Sequence, residues 1–194
     1  AKNPITDWPA YMDGLNRFVF RSGLVMKPII DRAQGQNKRI AFADGEDERV
    51  LRATQVLLEE RIARPILIGR PSVIEARIER FGLSLRPGHD FEVINPEDDP
   101  RYRDYVSLFL SLVGRDGVTP DTARQVVRTN TTVIGALAVR RGEADGLICG
   151  LQGRFIRHVR DIRSVIGLQE GVADVSALSL LLMPRGALFQ FRFA

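Results

Sequence analysis

The sequence predicts an α/β protein built around a doubly wound sheet of parallel strands. Short apolar runs, which are typical of buried strands, alternate with longer segments in which apolar residues recur every three or four positions, as in helices. Strand, helix, strand and helix follow one another closely between residues 40 and 80. This order favours a parallel sheet with helices packed against it.

The N-terminal stretch 7–34 predicts a helix, a bend and a second short helix. Pro9 suits a first helical turn, and apolar residues recur at helical spacing over 12–19. This pattern is interrupted by Ser22 and Gly23 and again by Pro28. Because such a segment has no core of its own, we expect it to connect domains.

Two strand–helix units occupy residues 40–80. The apolar runs 40–42 and 65–69 predict the strands. The acidic run 46–48 favours the start of the first helix, because negative charge stabilises a helix N-terminus. Ser72 is predicted to cap the second helix.

The remaining chain continues the alternation and ends on a predicted strand. Thr119 followed by Pro120 marks one helix start, and Asn130 or Thr129 caps the next helix. No helix follows the last strand to cover the sheet. We therefore expect either a truncated second unit or a partner chain that covers the gap. The predicted elements are a strand and turn in 90–99, helices in 101–117, 119–129 and 130–144, a strand in 145–149, a helix in 154–166 and a strand in 186–193.

Composition places the protein among soluble, cytoplasmic proteins. The 194 residues, of which 44% are hydrophobic, suffice for a substantial domain, and no apolar run approaches the roughly 20 residues of a membrane helix. The single cysteine, Cys149, cannot form an internal disulfide, which favours a reducing compartment. The net charge of +4 comes from dispersed arginines, so we expect neither a nucleic-acid nor a membrane partner.

The sequence carries no familiar motif for phosphate, metal or nucleophilic chemistry. Neither a P-loop nor a G-x-G-x-x-G motif is present. His89, His158 and Cys149 lack metal-ligand spacing. The acidic run 44–48 could suggest a divalent cation, but a charged helix start is favoured. We interpret Cys149 as a packing residue and predict no catalytic residue and no metal site in this chain.

One candidate for an anion site follows the predicted strand 145–149. Gly150 and Gly153 permit close approach to the backbone, and the next helix directs its free N–H groups toward that point. Arg154 and Arg157 lie in the first turn, where cations are unfavourable for the helix itself, which favours a bound anion or an acidic partner. Pairing of Arg157 with Asp161, four residues later, explains the same pattern without a ligand. The residues alone leave both interpretations open.

Several long stretches resemble phosphate acetyl/butyryltransferase domains. The stretches 39–71 and 115–150, and the spacing between them, carry this resemblance. The stretch 10–30 is similar to the connector that joins the catalytic domain of a bacterial NADP-dependent malic enzyme to its C-terminal phosphotransacetylase-like domain. The stretches 66–83 and 90–105 also resemble the malic enzyme version, and the resemblance as a whole covers residues 5–185.

The resemblance implies a three-layer α/β/α fold of the phosphotransacetylase type, which is isocitrate/isopropylmalate dehydrogenase-like. The second lobe of that fold is expected to be truncated here. The implied organisation is a helical connector at 1–34, the first α/β lobe at 35–150 and the incomplete start of the second lobe at 151–194.

The resemblance also implies a transferase site that has lost key groups. Arg160 falls where the family has an anion-binding arginine, but Asp161 replaces the proline that follows it. Val113 stands where the family has a second substrate-binding arginine, and the catalytic serine and aspartate belong beyond residue 194. The residues expected to bind acetyl-CoA or phosphate are Arg160 first, then Arg154 and Arg157, with Gly150 and Gly153.

The function implied is that of a regulatory and oligomerisation domain of an NADP-dependent malic enzyme. Such a domain senses acetyl-CoA or a related acyl-CoA effector, forms homo-oligomers and lies in one chain with the malic enzyme catalytic domain. The parent enzyme oxidatively decarboxylates malate to pyruvate and CO2 with NADP and Mg²⁺ or Mn²⁺, and no cofactor is expected in this part. The alternatives are an active phosphate acetyltransferase, which combines acetyl phosphate and coenzyme A, and an assembly domain without a ligand.

Overall fold

A computed structural model describes residues 7–182 and 188–193, and its framework is a sheet of four strands. The helices are α1 Trp8–Gln34, α2 Glu48–Glu59, α3 Pro71–Arg80, α4 Tyr102–Val113, α5 Pro120–Thr129, α6 Thr131–Arg140 and α7 Phe155–Ile166, and a 3-10 turn spans Gly114–Asp116. The strands are β1 Arg39–Phe42, β2 Arg64–Ile68, β3 Glu92–Ile94, β4 Gly146–Ile148, β5 Ala177–Leu182 and β6 Leu188–Phe193.

The sheet has the strand order β3-β2-β1-β4, and every neighbouring pair is parallel. Phe42 at the end of β1 lies opposite Leu67 of β2 on one side and Ile148 of β4 on the other. The parallel sheet predicted from the alternation of apolar runs and helices is thereby confirmed.

Helices cover both faces of the sheet, because successive side chains of each strand point to opposite sides. Phe42 and Leu67 belong to a core cluster with the apolar residues of α2 and α3. Ala41, Ile66 and Ile68 belong to a second cluster, which takes its remaining members mainly from α4, α5, α6 and α7. The predicted three-layer α/β/α arrangement is therefore confirmed.

Helix α6 is the most deeply buried helix among the described residues and lies close to the sheet. Seven consecutive residues from Thr132 to Ala138 are buried. A Cβ atom on Gly135 would lie 2.5 Å from Cδ1 of Leu147 in β4, so the missing side chain permits this close approach. A hydrogen bond between Thr132 and Cys149 also holds the first turn of α6 near the carboxyl end of β4.

The prediction of a bend in the N-terminal stretch is wrong, because α1 is one helix of 27 residues. Asp7 caps it by accepting a hydrogen bond from the N–H of Ala10 at 2.9 Å, and Pro9 lies in the first turn as predicted. Pro28 removes one backbone donor, but residues 22–23 keep the helical conformation, and the helix continues through both positions. Within the described residues, no helix is long and apolar enough to cross a membrane.

Three helix starts carry side-chain caps that the sequence predicted or indicated. Asp47 accepts from the N–H of Arg49 at the start of α2. Thr119 and Asn130 cap α5 and α6 and accept from backbone N–H groups three residues later. Each cap satisfies a donor that the first helical turn would otherwise leave without a partner.

The prediction of Ser72 as the cap is wrong, because the N-cap of α3 is Arg70, two residues earlier, and the helix begins at Pro71. Pro71 fits the first helical position, which needs no N–H donor. The N–H of Arg70 donates instead to the Glu46 carboxylate at 2.9 Å. The local signal of Pro71 and the long-range contact between Arg70 and Glu46 thus agree on this boundary.

The C-terminal part forms an antiparallel pair of strands, β5 and β6. The strand predicted at 186–193 corresponds to β6, although residues 186 and 187 lie outside the described part, and β5 was not predicted. The chain divides into a compact unit at 36–167 and a second unit from its two ends, up to Gly35 and from Leu168 onward. Helix α7 belongs to the unit that contains the parallel sheet, and the lobe boundary at residue 150 stays a prediction.

Gly45 offers a test of how tightly the loop after β1 packs on β2. A Cβ atom at this position would lie 2.7 Å from the carbonyl oxygen and 2.8 Å from the nitrogen of Ile68. Because these are backbone atoms of a central strand, we expect Gly45→Ala to lower the free energy of unfolding by at least about 2 kcal/mol. Urea denaturation measures this change.

Gly114→Ala is the matched control, because Gly114 has helical dihedral angles and its added Cβ meets the Leu110 side chain at an ordinary 3.6 Å. We expect this variant to stay within about 0.5 kcal/mol of the wild type. Equal stability of both variants would contradict the packing described for Gly45.

Candidate functional site

The carboxyl ends of β1 and β4 lie side by side where the strand order reverses. From β1 the chain adds β2 and β3 on one side of the sheet, whereas β4 joins on the other side. Ligands of open α/β sheets bind outside the carboxyl ends of the strands at such a point. The loops after β1 and β4 therefore build the candidate site.

The β4–α7 loop, residues 149–154, is fastened to the loop that follows β1. The N–H of Ala43 donates to the carbonyl oxygen of Ile148 at 3.0 Å, and the N–H of Leu151 donates to Asp44 Oδ2 at 3.3 Å. The side chain of Gln152 also hydrogen-bonds to Asp47, the cap of α2. These contacts fix the β4–α7 loop over the end of the sheet.

His158 of α7 holds the same loop from the other side. Its Nε2 lies 2.7 Å from the carbonyl oxygen of Gln152, and its Nδ1 lies 2.9 Å from Oγ1 of Thr132 in α6. Because a carbonyl oxygen can only accept, Nε2 carries a proton in this arrangement. The imidazole thus joins the loop, α6 and α7.

Both predicted glycines adopt backbone angles that other residues rarely take. Gly150 and Gly153 each have φ of 98°. A Cβ atom on Gly153 would also lie 3.1 Å from Nε2 of His158. The glycines therefore permit the turn and the close imidazole contact, and their role in binding a ligand stays a prediction.

The three predicted arginines line an open groove of about 940 Å³ along α7. Arg154 is the N-cap of α7 and makes no capping hydrogen bond with its side chain. Among the described residues, Arg154 and Arg157 take part in no ion pair, whereas Nε of Arg160 lies 3.9 Å from the Asp161 carboxylate. The side chain of Arg160 remains 76% exposed. The structure thus brings the predicted cations together on one surface.

The pairing of Arg157 with Asp161, considered as the explanation without a ligand, does not form. Oδ2 of Asp161 accepts a hydrogen bond from Nδ2 of Asn130 at 2.7 Å, and the Asp161 side chain is only 15% exposed. Asp161 therefore faces the start of α6, whereas Arg157 lines the groove. The structure removes this explanation for Arg157.

Cys149, at the end of β4, is half-buried and hydrogen-bonds to Thr132. Burial, aided by the negative charge of Asp44, raises the pKa of the Cys149 thiol above its usual value. Because the thiolate is the nucleophilic form, this environment supports the predicted packing role.

The acidic run after β1 forms ion pairs beside a cavity of about 380 Å³. The Glu46 carboxylate binds Arg70 through two oxygens at 2.9 and 3.0 Å, and this guanidinium lowers the pKa of Glu46. Asp47 binds Arg49 in the same way, and the pKa of Asp47 falls to about 2. The acidic run therefore caps α2 and hydrogen-bonds to the N-cap residue of α3. The described residues contain no group of three His, Cys, Asp or Glu side chains placed to hold a metal.

Sequence reasoning did not assign His158, Thr132, Asn130 or Gln152 to the candidate site. His158 lies four residues after Arg154, one turn into α7. This spacing places both residues on one face of the helix and is the feature of the sequence that could have predicted a contact between His158 and the preceding loop. The other three lie at helix starts or in a loop, and only the fold brings them together.

Comparison with known proteins identifies the family. Residues 24–191 match the phosphate acetyl/butaryl transferase family. The chain belongs to this family. Its fold agrees, because a phosphotransacetylase from Streptococcus pyogenes superposes with a TM-score of 0.75 at 23% identity, over 85% of this chain and 49% of the other. The EutD phosphotransacetylase from Staphylococcus aureus gives a TM-score of 0.70 at 25% identity, over 84% and 47%.

Within the phosphate acetyl/butaryl transferase family, the chain is similar to part of bacterial malic enzymes, as predicted. It is 64% identical over 190 residues to the NAD-dependent malic enzyme of Rhizobium meliloti, which is 97% of this chain and 25% of that protein. It is 44% identical over 189 residues to the NADP-dependent malic enzyme of Escherichia coli, again 97% and 25%. The chain thus spans about a quarter of the length of these relatives.

The lowered pKa of Asp47 predicts acid sensitivity of this helix start. The carboxylate has a pKa of about 2 in the fold against an ordinary 3.8, so its charge stabilises the fold fully above pH 4. That contribution is lost as the pH falls from about 4 to about 2. Asp47→Asn keeps a capping acceptor but no charge, so its stability should fall less steeply over this window.

Urea denaturation at a series of pH values measures this difference. The gap in unfolding free energy between wild type and Asp47→Asn should be widest near neutral pH and narrow below pH 4. A gap that stays constant down to pH 2 would contradict the assignment of the Asp47–Arg49 pair.

Proposed function

We propose that this chain is the regulatory and assembly domain of a malic enzyme, with a phosphotransacetylase-like fold but no catalytic role of its own. The similarity of nearly the whole chain to a quarter of a bacterial NAD-dependent malic enzyme carries this proposal. The more distant similarity to phosphate acetyltransferases supports a shared fold and a shared ancestral site.

The proposed parent enzyme oxidatively decarboxylates malate to pyruvate and CO2. Of the two nicotinamide coenzymes, we propose NAD instead of the NADP first expected, because the relative with 64% identity is NAD-dependent. The Mg²⁺ or Mn²⁺ of the parent reaction belongs outside this chain in the proposal.

Two remodelled positions support a regulatory role over transferase activity. Val113, which stands where the resemblance places a substrate-binding arginine, is buried in the core at the end of α4. Asp161, which replaces the family proline, hydrogen-bonds to Asn130 and ties α7 to α6. Val113 packs in the core and Asp161 joins two helices, so we assign neither residue a role in binding substrate.

Acetyl-CoA is the proposed effector, and the groove on α7 is its proposed site. The phosphate groups of coenzyme A match the exposed guanidinium groups of Arg154, Arg157 and Arg160, because arginine binds phosphate through paired hydrogen bonds. The apolar side chains of Ile156 and Val159 in the same groove offer contacts to the uncharged part of the ligand.

Regulation requires that acetyl-CoA bind two states of the enzyme with different affinity. The β4–α7 loop is the proposed point of coupling, because His158 ties it to α6 and Gln152 ties it to the start of α2. A ligand on α7 that shifts this loop would therefore act on several helices of the sheet unit.

An active phosphate acetyltransferase is the second candidate. It is favoured by the family match and by 28% identity over 163 residues to the phosphate acetyltransferase of Corynebacterium glutamicum. Acetyl-CoA formation from acetyl phosphate and coenzyme A by the full-length protein distinguishes the two. Turnover at typical enzyme rates, roughly 1–10³ per second, would favour this candidate.

Calorimetry with acetyl-CoA tests the proposed site. We expect binding to the wild type and at least a tenfold weaker affinity in Arg160→Glu, because one charge-assisted contact contributes about 1.5–3 kcal/mol. Arg103→Glu is the matched control, since Arg103 is exposed on α4 and does not line the groove.

The affinity of the Arg103→Glu control should equal that of the wild type. Absence of binding to wild type at millimolar acetyl-CoA would overturn the sensing proposal. An equal loss of affinity in both variants would show that only the net charge of the protein affects binding, and would contradict the assignment of the groove as the acetyl-CoA site.

A further inference from the structure

Both ring nitrogens of His158 make hydrogen bonds beside the groove on α7. Nε2 donates to the carbonyl oxygen of Gln152 at 2.7 Å, so Nδ1 of the neutral ring carries no proton. Nδ1 therefore accepts the hydroxyl proton of Thr132, whose Oγ1 lies 2.9 Å away. These two partners fix which nitrogen of the neutral imidazole is protonated.

A second proton fits on this ring without the loss of a hydrogen bond. The hydroxyl oxygen of Thr132 can accept as well as donate, so it can receive an N–H from Nδ1. The hydroxyl proton can then turn toward Cys149, with which Thr132 also hydrogen-bonds. The carbonyl oxygen of Gln152 stays an acceptor, and its hydrogen bond becomes stronger when the ring is charged. The same partners therefore accommodate the neutral and the charged form of His158.

His158 lies directly behind the wall of the groove. Gly153 lines the groove, and a Cβ atom on Gly153 would lie 3.1 Å from Nε2 of His158. Arg157 and Val159, the neighbours of His158 in α7, line the groove as well. A ligand in contact with Gly153 is thus separated from the imidazole by this glycine alone. Charges interact strongly over so short a distance.

Charges of both signs surround the imidazole ring. Helix α6 contributes the hydroxyl of Thr132, and β4 is followed by Cys149, whose raised pKa keeps the thiol protonated. The arginines disfavour a second proton on the ring, whereas the carboxylates favour it. Phosphate groups bound by the arginines offset their positive charge, so the balance shifts toward the charged ring. The charged groups are Arg154, Arg157, Arg160 and Asp161 of α7 and Asp44 of the loop after β1.

We infer that binding of a phosphate-bearing ligand in the groove is coupled to the uptake of a proton by His158. This inference rests on the proposed binding of acetyl-CoA and adds a dependence on pH to that site. Because the bound state holds more protons, the affinity for the ligand rises as the pH falls. The rise falls in the range in which histidine side chains titrate, between about pH 8 and pH 5. The groove then responds to acetyl-CoA and to pH together.

Calorimetry of the full-length protein with acetyl-CoA, in two buffers of different ionisation enthalpy at pH 7, counts the protons taken up. We expect about half a proton more per bound ligand in the wild type than in His158→Gln. The amide nitrogen of this variant can still donate to Gln152, but it does not titrate. Between pH 8 and pH 6 the affinity of the wild type should rise at least about threefold relative to that of the variant. Protonation of the ligand's own phosphate groups cancels in this comparison.

His89→Gln is the matched control, because His89 lies exposed beside Asp90 and does not line the groove. Its proton uptake and its pH profile should equal those of the wild type. Equal proton uptake by the wild type and by His158→Gln would overturn the inference.

Sulfate separates this inference from the choice of acetyl-CoA, because the charge of sulfate is constant between pH 6 and pH 8. We expect sulfate to raise the melting temperature of the wild type more at pH 6 than at pH 8, and this difference to shrink in His158→Gln. If sulfate gives this result and acetyl-CoA does not bind, the inference stands and only acetyl-CoA is removed. If acetyl-CoA does not bind and sulfate stabilises the wild type equally at both pH values, the inference is wrong.

Discussion

The structure depends on the burial of β1 from both sides. Ala41 and Phe42 lie on opposite faces of this strand and are 0% and 5% exposed. A parallel strand buried in this way requires helices on each face, and its backbone requires a strand on each edge. These requirements place β2 and β4 beside β1 and so bring their carboxyl-end loops together. The loops after β1 and β4, which are brought together in this way, form the candidate site.

Much of the fold could be predicted because its information is local. Apolar runs mark β1 and β2, and capping residues such as Asn130 mark helix starts. The predictions failed where long-range contacts determine the structure, or where residues that disfavour a helix lie inside a helical segment. Residues 22–23 and Pro28 suggest a bend, but the helical segments on both sides continue through them. The residues of β5 form an apolar run without a period that distinguishes strand from helix.

The candidate site was predictable only in its outline. The glycines and arginines follow one another in the chain, so their proximity could be predicted from the sequence. The contacts that hold them could not be predicted, because His158 meets Thr132 across 26 residues and Asp161 meets Asn130 across 31 residues. The i,i+4 spacing suggested Arg157 as the ion-pair partner of Asp161, whereas in the folded chain Asp161 accepts a hydrogen bond from Asn130. The long-range partners tie α7 to α6 and leave Arg157 facing the groove.

We propose that this domain reports acetyl-CoA to a malic enzyme. The most direct test of this proposal is the rate of malate oxidation by the full-length protein, measured with NAD at saturating malate and increasing acetyl-CoA. We expect the rate to change and saturate with acetyl-CoA in the wild type and to respond only at higher concentrations in Arg160→Glu. A rate that is independent of acetyl-CoA, or a response that Arg160→Glu leaves unchanged, would contradict it.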